Sequence, residues 1–167
     1  NETPLQSELP RPHAERLARA KAEAVRGDHP DAFVLAADTV VACGRRILPK
    51  AEDSATAAAC LDLLSGRRHR VFGGLAIAPP GAEIVSRVVA TQVGFKRLSD
   101  EERDGYLASG EWRGKAGGYA IQGRAAVFVD FLAGSYSNVV GLPLAETAAL
   151  LRGLGFRWDL WGMEARG

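Results

Sequence analysis

Residues 33–41 read Phe-Val-Leu-Ala-Ala-Asp-Thr-Val-Val, and the rest of the chain is organised around this run. It is apolar and rich in β-branched residues, which is typical of a buried strand. Successive side chains of a strand alternate between its faces, so Asp38 shares a face with Val34, Ala36 and Val40. An ionised carboxylate among core residues is costly unless a metal, a cation or several donors contact it, which makes Asp38 a candidate functional residue. The structural alternatives are an Asp paired with an Arg and an Asp exposed at a frayed strand end.

Length and charge limit the classes of partner. The 167 residues predict a single domain, 1–167, and the net charge of +1 provides no basic stripe for nucleic acid or an anionic membrane. No apolar run has the length of a transmembrane helix, and no signal segment opens the chain. We therefore expect a soluble cytoplasmic protein that acts on a small molecule.

The cysteines and histidines indicate neither a disulfide scaffold nor a zinc site. Cys43 and Cys60 lie in apolar settings, where a reduced, packed thiol is the expected state. The three histidines are His13, His29 and His69, and they lack the spacing of zinc ligands.

Two lysines are placed where they could face Asp38. A helix is predicted after Pro12, and Lys21 lies on its apolar stripe, four residues from Leu17 and from Val25. The alternative for Lys21 is that it snorkels along the helix edge. Residues 43–46 predict a turn whose hairpin returns Lys50 towards the level of Asp38, although Lys50 could equally be a surface charge.

The remaining elements are assigned from caps, turns and periodicity. A helix should begin at Asp53 or Ser54 and end at residues 65–66, and a Ser-x-x-Glu capping box at Ser99 should open another. Two long strands, 70–78 and 84–98, are joined by a Pro-Pro-Gly turn. A strand is predicted over 125–131, and Pro143 should start the last helix.

Residues 110–123 combine glycines with Trp112, Lys115, Tyr119 and Gln122. Glycines allow close backbone approach to a ligand, cations attract phosphate and an amide can read a planar group. A flexible linker would explain only the glycines, so we favour a binding loop. A second small polar loop, residues 134–138, has a plain turn as its alternative.

A carboxylate on a strand, inward-facing lysines and glycine loops are parts expected of polyphosphate chemistry. Oxygen ligands suit Mg²⁺ or Mn²⁺, and lysines offset phosphate charge. Neither a Walker motif nor a Gly-x-Gly-x-x-Gly motif occurs in the sequence, which excludes the P-loop and Rossmann interpretations. Hydrolysis by activated water is the leading interpretation.

Seven motifs follow one another along the chain: Glu2-Thr3, Leu17-Ala18-x-x-Lys21-Ala22, Ala36-Ala37-Asp38-Thr39-Val40-Val41, Ile47-Leu48-x-Lys50, Leu64-Ser65-Gly66-x-x-His69-x-Val71, Lys115-Ala116-Gly117-Gly118-Tyr119-x-Ile121-Gln122-Gly123 and Gly134-Ser135-Tyr136-Ser137-Asn138-Val139-Val140-Gly141-Leu142-Pro143-Leu144. Together and in this order they resemble the Maf family of nucleoside triphosphate pyrophosphatases. Residues 115–123 resemble the branch that hydrolyses dTTP and UTP.

The resemblance implies an elongated α/β fold like that of inosine triphosphate pyrophosphatases, with a mixed central sheet flanked by helices and a cleft between two lobes. Asp38 would be the general base against the α-phosphorus of a nucleoside triphosphate. Glu2 and Asp38 would hold a divalent cation, Mg²⁺ or Mn²⁺. The substrate-binding residues it implies are Lys21 and Lys50 for the triphosphate, Thr39 and Gln122 for the base, and Lys115 as a further phosphate contact.

The departures from the family pattern are also informative. Family members begin with a strand followed by Ser-x-x-Arg-Arg, and nothing before Asn1 supplies it, so we expect this part of the site to be missing from the sequence given. Gly73 and Gly74 replace a Thr-containing stretch after Val71. An alternative function is a nucleotide-binding regulator of septum formation with weak or no hydrolysis. The tail with Trp158 and Trp161 makes a homodimer plausible.

Overall fold

The structure, a computed structural model, describes residues 3–158. Its helices in this range are α1 (Pro10–Arg26), α2 (Ser54–Leu64), α3 (Asp100–Ser109), α4 (Tyr136–Val140) and α5 (Leu144–Gly153), with a 3₁₀ helix at Arg124–Phe128. Its strands are β1 (Val34–Cys43), β2 (Arg46–Leu48), β3 (Lys50–Ala51), β4 (Arg68–Ala78), β5 (Val85–Phe95), β6 (Lys115–Ala116) and β7 (Val129–Ala133). None of the helices within residues 3–158 is both long enough and apolar enough to cross a bilayer.

The central sheet has five strands in the order β2-β1-β4-β5-β7, and a separate two-stranded sheet joins β3 to β6. The predicted α/β class, with helices flanking a central sheet, is confirmed. The sheet is antiparallel rather than mixed in each of its described pairs. Short turns join β1 to β2 and β4 to β5, and a turn of this length can only pair antiparallel strands.

Most of the predicted elements form as the sequence indicated. The side chain of Asp53 caps α2 by accepting a hydrogen bond from the Thr56 amide. Ser99 and Glu102 form the predicted capping box of α3.

The strand predicted over residues 125–131 is wrong in its first half. Residues Arg124–Phe128 form the 3₁₀ helix, and the strand β7 begins only at Val129. Ala125 and Phe128 are both buried, whereas Val127 between them is exposed. A spacing of three residues places two side chains on one side of a 3₁₀ helix but on opposite faces of a strand, so burying both requires the helix.

Helix α1 lies unusually close to the sheet because small residues line both surfaces. Ala18 and Ala22 of the helix pack in one cluster with Ala76 and Ala78 of β4. A Cβ atom at Gly74 would lie 2.1 Å from the Ala14 carbonyl oxygen, so the helix backbone occupies the space that any side chain would need. The unexpected glycine at this position therefore sets the distance between α1 and β4.

The opposite face of the sheet carries the main core, which α2, α3 and the segment around residues 112–128 cover. Phe156 and Trp158 pack on a further cluster, where Phe156 contacts the rings of Phe33 and Trp158 edge-on at 5.2 and 5.9 Å. Trp158, predicted to belong to an exposed tail, is half-buried against its own domain. Trp161 lies outside the described residues.

The close packing of α1 generates a stability prediction. Gly74→Ala should lower the free energy of unfolding by about 1–3 kcal/mol or more, since the added methyl group overlaps helix backbone that cannot rotate away. The matched control is Gly105→Ala in α3, where a Cβ atom meets nothing within 4 Å and alanine should stabilise the helix by roughly 0.5–1 kcal/mol. Urea unfolding followed by circular dichroism measures both. Equal stability of Gly74→Ala and the wild type would contradict the described packing.

Candidate active site

One cleft gathers the residues that the sequence singled out. It has a volume of about 250 Å³, and its lining includes Lys21, Asp38, Thr39, Lys50, Lys115 and Gln122. These side chains come from α1, β1, β3, β6 and the glycine loop, so the fold brings together positions up to about a hundred residues apart in sequence. Glu2, the other predicted metal ligand, lies outside the described residues. The structure thus supports a shared location, while the role of each residue stays a prediction.

Asp38 lies in the middle of β1, opposite Gly74 of β4 in the antiparallel ladder. The residue is only 5% exposed, and Lys21 Nζ donates a hydrogen bond to its Oδ1 at 2.5 Å. Lys21 reaches it because α1 lies close to the sheet at this level. The cation that the buried carboxylate requires is therefore Lys21, not an arginine, and the Lys21 side chain is still 40% exposed.

The two-stranded sheet places the other lysines. The hairpin of β1 and β2 has Val41 opposite Leu48, which returns the chain towards Asp38 as predicted. Beyond it, Lys50 pairs with Ala116 in the small sheet, and Ala51 pairs with Lys115. Lys50 and Lys115 therefore lie on adjacent strands, and both contribute to the lining of the cleft.

The glycine-rich segment is anchored to the fold and is not a linker. Its backbone amides at Gly114 and Gly117 donate to the carbonyls of Ala51 and Pro49 at 2.8 and 3.0 Å. Gly117 has a φ of +68°, and a Cβ atom there would lie 2.8 Å from Val41 Cγ1. Only glycine combines this backbone conformation with this contact on β1. These contacts support the binding-loop interpretation of residues 110–123.

Apolar side chains form a wall of the cleft that the sequence did not reveal. Val139 and Val140 of α4 line it, together with Val41, Val71 and Tyr119. Helix α4 is fixed by Asn138, which is fully buried and donates from Nδ2 to the carbonyls of Val71 and Val89 at 3.2 and 3.1 Å. The predicted polar loop at 134–138 is in part this helix and its Ser135 cap. The Ser-x-x-Asn pattern of residues 135–138 is a local signal for the start of this helix. It does not indicate the role of Asn138, because the partners of that side chain are distant in sequence.

A second cavity of about 450 Å³ opens on the other side of Asp38. It shares Asp38, Thr39, Lys50 and Ala116 with the first cleft, and its lining also includes His13 and Leu17 of α1. The two cavities therefore meet at Asp38.

A partly buried ionic cluster fixes the segment next to this second cavity. The Glu8 carboxylate accepts hydrogen bonds from Arg16 Nε and contacts His13 Nδ1, each at 2.8 Å. The hydrogen bond from Arg16 lowers the pKa of Glu8 to about 2. Glu8 is consequently ionised at neutral pH and holds the chain before α1 against the helix.

The donor atoms fit a divalent cation that the substrate helps to bind. No group of three or more His, Cys, Asp or Glu side chains in residues 3–158 could hold a metal ion without other ligands. Asp38 is the carboxylate in the described lining of both cavities. Mg²⁺ in nucleotide sites is usually bound by one or two carboxylates, substrate phosphates and water, so a single buried carboxylate beside lysines fits this arrangement.

Comparison with known proteins gives consistent matches. The family described as Maf-like protein matches residues 1–154. A dTTP/UTP pyrophosphatase from Paramagnetospirillum magneticum is 69% identical over 156 residues, covering 93% of this chain and 82% of the relative. One from Rhodospirillum rubrum is 66% identical over 157 residues, covering 94% and 75%. One from Mesorhizobium japonicum is 58% identical over 172 residues, covering 99% and 83%.

The family match spans nearly the whole chain, and the relatives align over most of their own length. Residues from six of the seven motifs that suggested the Maf resemblance line one cleft of the structure. This chain therefore belongs to the Maf family.

Proposed function

We propose that this chain is a nucleoside triphosphate pyrophosphatase that hydrolyses dTTP and UTP, and related modified pyrimidine nucleotides, to the monophosphate and pyrophosphate. The observation that carries the proposal is the convergence of Lys21, Lys50 and Lys115 around Asp38 in one cleft. The relatives named dTTP/UTP pyrophosphatase support the choice of substrate.

The lysines provide the binding energy for the triphosphate. Three cations and one carboxylate give the described lining an excess of positive charge. Lysine ammonium groups act as point charges for phosphate oxygens, and they gain strength where the walls exclude water. Val139, Val140 and Val41 supply such a wall.

We assign the activation of water to Asp38. In the proposed reaction a water oxygen attacks the α-phosphorus, Asp38 accepts the proton of that water, and the bond from the α-phosphorus to the bridging oxygen breaks. Pyrophosphate leaves with the electron pair of this bond, and the nucleoside monophosphate remains. General-base catalysis of this kind contributes about 10²- to 10⁴-fold to the rate.

The Lys21–Asp38 ion pair links substrate binding to this step. In the free protein Lys21 neutralises the buried carboxylate, and its side chain is 40% exposed. A bound triphosphate competes for the Lys21 ammonium group. Transfer of Lys21 towards the phosphates leaves Asp38 available to the attacking water.

Asp38 and Glu2 would hold the divalent ion, Mg²⁺ or Mn²⁺. When bound, such an ion neutralises phosphate charge and orients the triphosphate. Thr39 and Gln122, which lie in the same lining, would choose the base through hydroxyl and amide hydrogen bonds. The substrate is a free nucleotide rather than a nucleic acid, and this activity implies a cytoplasmic location.

Replacing the proposed base tests the mechanism. Asp38→Asn in the full-length protein should reduce pyrophosphate release from UTP by about 10²- to 10⁴-fold, because an amide cannot accept the proton. The matched control is Asp31→Asn, an exposed carboxylate before β1, which should retain wild-type turnover. Phosphate release coupled to an added inorganic pyrophosphatase measures the rate. Full turnover by Asp38→Asn would show that another group is the base.

The wild type decides between the two functions in the same assay. UTP binding without pyrophosphate release would favour the nucleotide-binding regulator of septum formation over the enzyme.

Deleting one cleft lysine tests phosphate binding. Lys50→Met or Lys115→Met should raise KM for UTP by about 10- to 100-fold, since a hydrogen bond to a charged group contributes roughly 1.5–3 kcal/mol. Lys96→Met is the control because Lys96 pairs with Glu102 outside the cleft. The wild-type KM should also rise with ionic strength, as screening weakens exposed ion pairs. A KM unchanged in both cleft variants would remove these lysines from the site.

Metal removal provides a separate prediction. Dialysis against EDTA should abolish pyrophosphate release, and Mg²⁺ or Mn²⁺ added in excess should restore it, because phosphate charge is otherwise only partly offset. Equal turnover before and after dialysis would exclude a required divalent ion.

A further inference from the structure

A buried hydrogen bond joins β4 to the glycine loop. His69 of β4 and Tyr119 of the loop meet at 2.7 Å between His69 Nε2 and the Tyr119 hydroxyl, 50 residues apart in sequence. His69 is 1% exposed and Tyr119 is 6% exposed. The sequence had identified both residues within motifs but gave neither a role.

Aromatic packing fixes the orientation of this pair. The rings of His69 and Tyr119 meet edge-on at 5.4 Å, and Phe95 contacts both rings edge-on at 5.2 and 4.8 Å. Edge-to-face contacts at these distances restrict ring rotation. The hydroxyl of Tyr119 is therefore held in one place relative to β4.

Each polar group of the pair depends on the other. Within residues 3–158, His69 Nδ1 has no hydrogen-bond partner, so Tyr119 provides the described polar contact of the imidazole. Burial lowers the pKa of His69 to about 4 and raises the pKa of Tyr119, so both are neutral at pH 7. Their contact is a hydrogen bond between neutral groups, not an ion pair.

Only one member of the pair faces the ligand space. Tyr119 lines the cleft, and so do Ala120 and Gln122 just after it, whereas His69 lies behind Tyr119 outside the lining. Val71, two residues after His69 on the same strand, forms part of the cleft wall. The hydrogen bond thus joins a strand and a loop that both contribute to the lining of the cleft.

We propose that His69 is a positioning residue of the nucleotide site, which acts through Tyr119 to set the distance between the glycine loop and β4. This inference rests on the proposed function. Lys115 lies before Tyr119 in the loop and Gln122 after it, so the pair fixes the part of the loop between a phosphate contact and a base contact. A loop that loses this hydrogen bond keeps the backbone hydrogen bonds of Gly114 and Gly117, and that of Ala120 to the Tyr106 hydroxyl, but its Tyr119 side chain is no longer held to β4.

The test compares variants at both ends of the hydrogen bond in the full-length protein. Tyr119→Phe and His69→Leu should each raise KM for UTP on the order of tenfold, with kcat changed far less, because binding geometry is lost rather than the base. His69→Gln keeps an amide donor at similar reach and should recover most of the affinity. The KM of the double variant should be no higher than that of the more affected single variant, since the two substitutions remove the same contact.

A matched control separates positioning from stability. Thr147 is buried in α5 and donates to the Pro143 carbonyl at 2.7 Å, away from the cleft. Thr147→Val removes a buried hydroxyl of comparable geometry and should lower stability without changing KM. All kinetics are measured at a temperature where circular dichroism shows each variant to be folded.

Affinity for α,β-methylene-UTP provides a readout that needs no turnover. Weaker binding by Tyr119→Phe and His69→Leu, with recovery in His69→Gln, supports the inference. Wild-type affinity in both of the first two variants overturns it, and so does an equal loss in Thr147→Val. Absence of pyrophosphate release by the wild type would count against the proposed function, while the analogue comparison would still decide the role of His69.

Discussion

A carboxylate buried in a strand needs a group that compensates its charge, and the structure depends on how Lys21 meets that requirement at Asp38. Asp38 is almost inaccessible to solvent, and Lys21 reaches it from a helix that packs against the sheet backbone to backbone. The approach requires glycine at position 74 and alanines along α1. Thus the packing of small residues, none of which is reactive, brings the Lys21 ammonium group to Asp38, the one acid in the described lining of the cleft. The energetic cost of burying Asp38 is offset only because the helix is close enough.

The cleft forms where three parts of the fold meet. The central sheet supplies the acid, the small β3–β6 sheet supplies two lysines, and α4 supplies an apolar wall. The backbone of the glycine loop is bonded to β3 and its neighbourhood, and its Tyr119 is bonded to β4. Such an arrangement holds ligand-binding groups on rigid elements at several points, which is what accurate orientation of a triphosphate requires.

Local sequence patterns predicted the residues whose position depends on periodicity. Alternation along β1 predicted that Asp38 lies on the face of the strand that carries core residues. Helical spacing predicted that Lys21 lies on the apolar stripe of its helix, and hairpin geometry predicted that Lys50 returns towards the level of Asp38. The sequence did not reveal contacts between distant segments, such as those of Asn138 with two strands or of His69 with Tyr119, because nothing local specifies those partners. The 3₁₀ helix was missed for a related reason. A short apolar run is compatible with both a strand and a helix, and only contacts with the rest of the core decide which side chains are buried.

The lysines of the cleft also affect the end of the reaction. Under the proposed function, pyrophosphate carries most of the negative charge of the substrate, so Lys21, Lys50 and Lys115 attract the product as well as the substrate. Product departure then competes with the attraction that favours substrate entry, and free pyrophosphate acts as a competitive inhibitor. A separate activity that consumes pyrophosphate in the cell would keep the cleft free of this product. The rate of hydrolysis would then depend on how quickly pyrophosphate is removed.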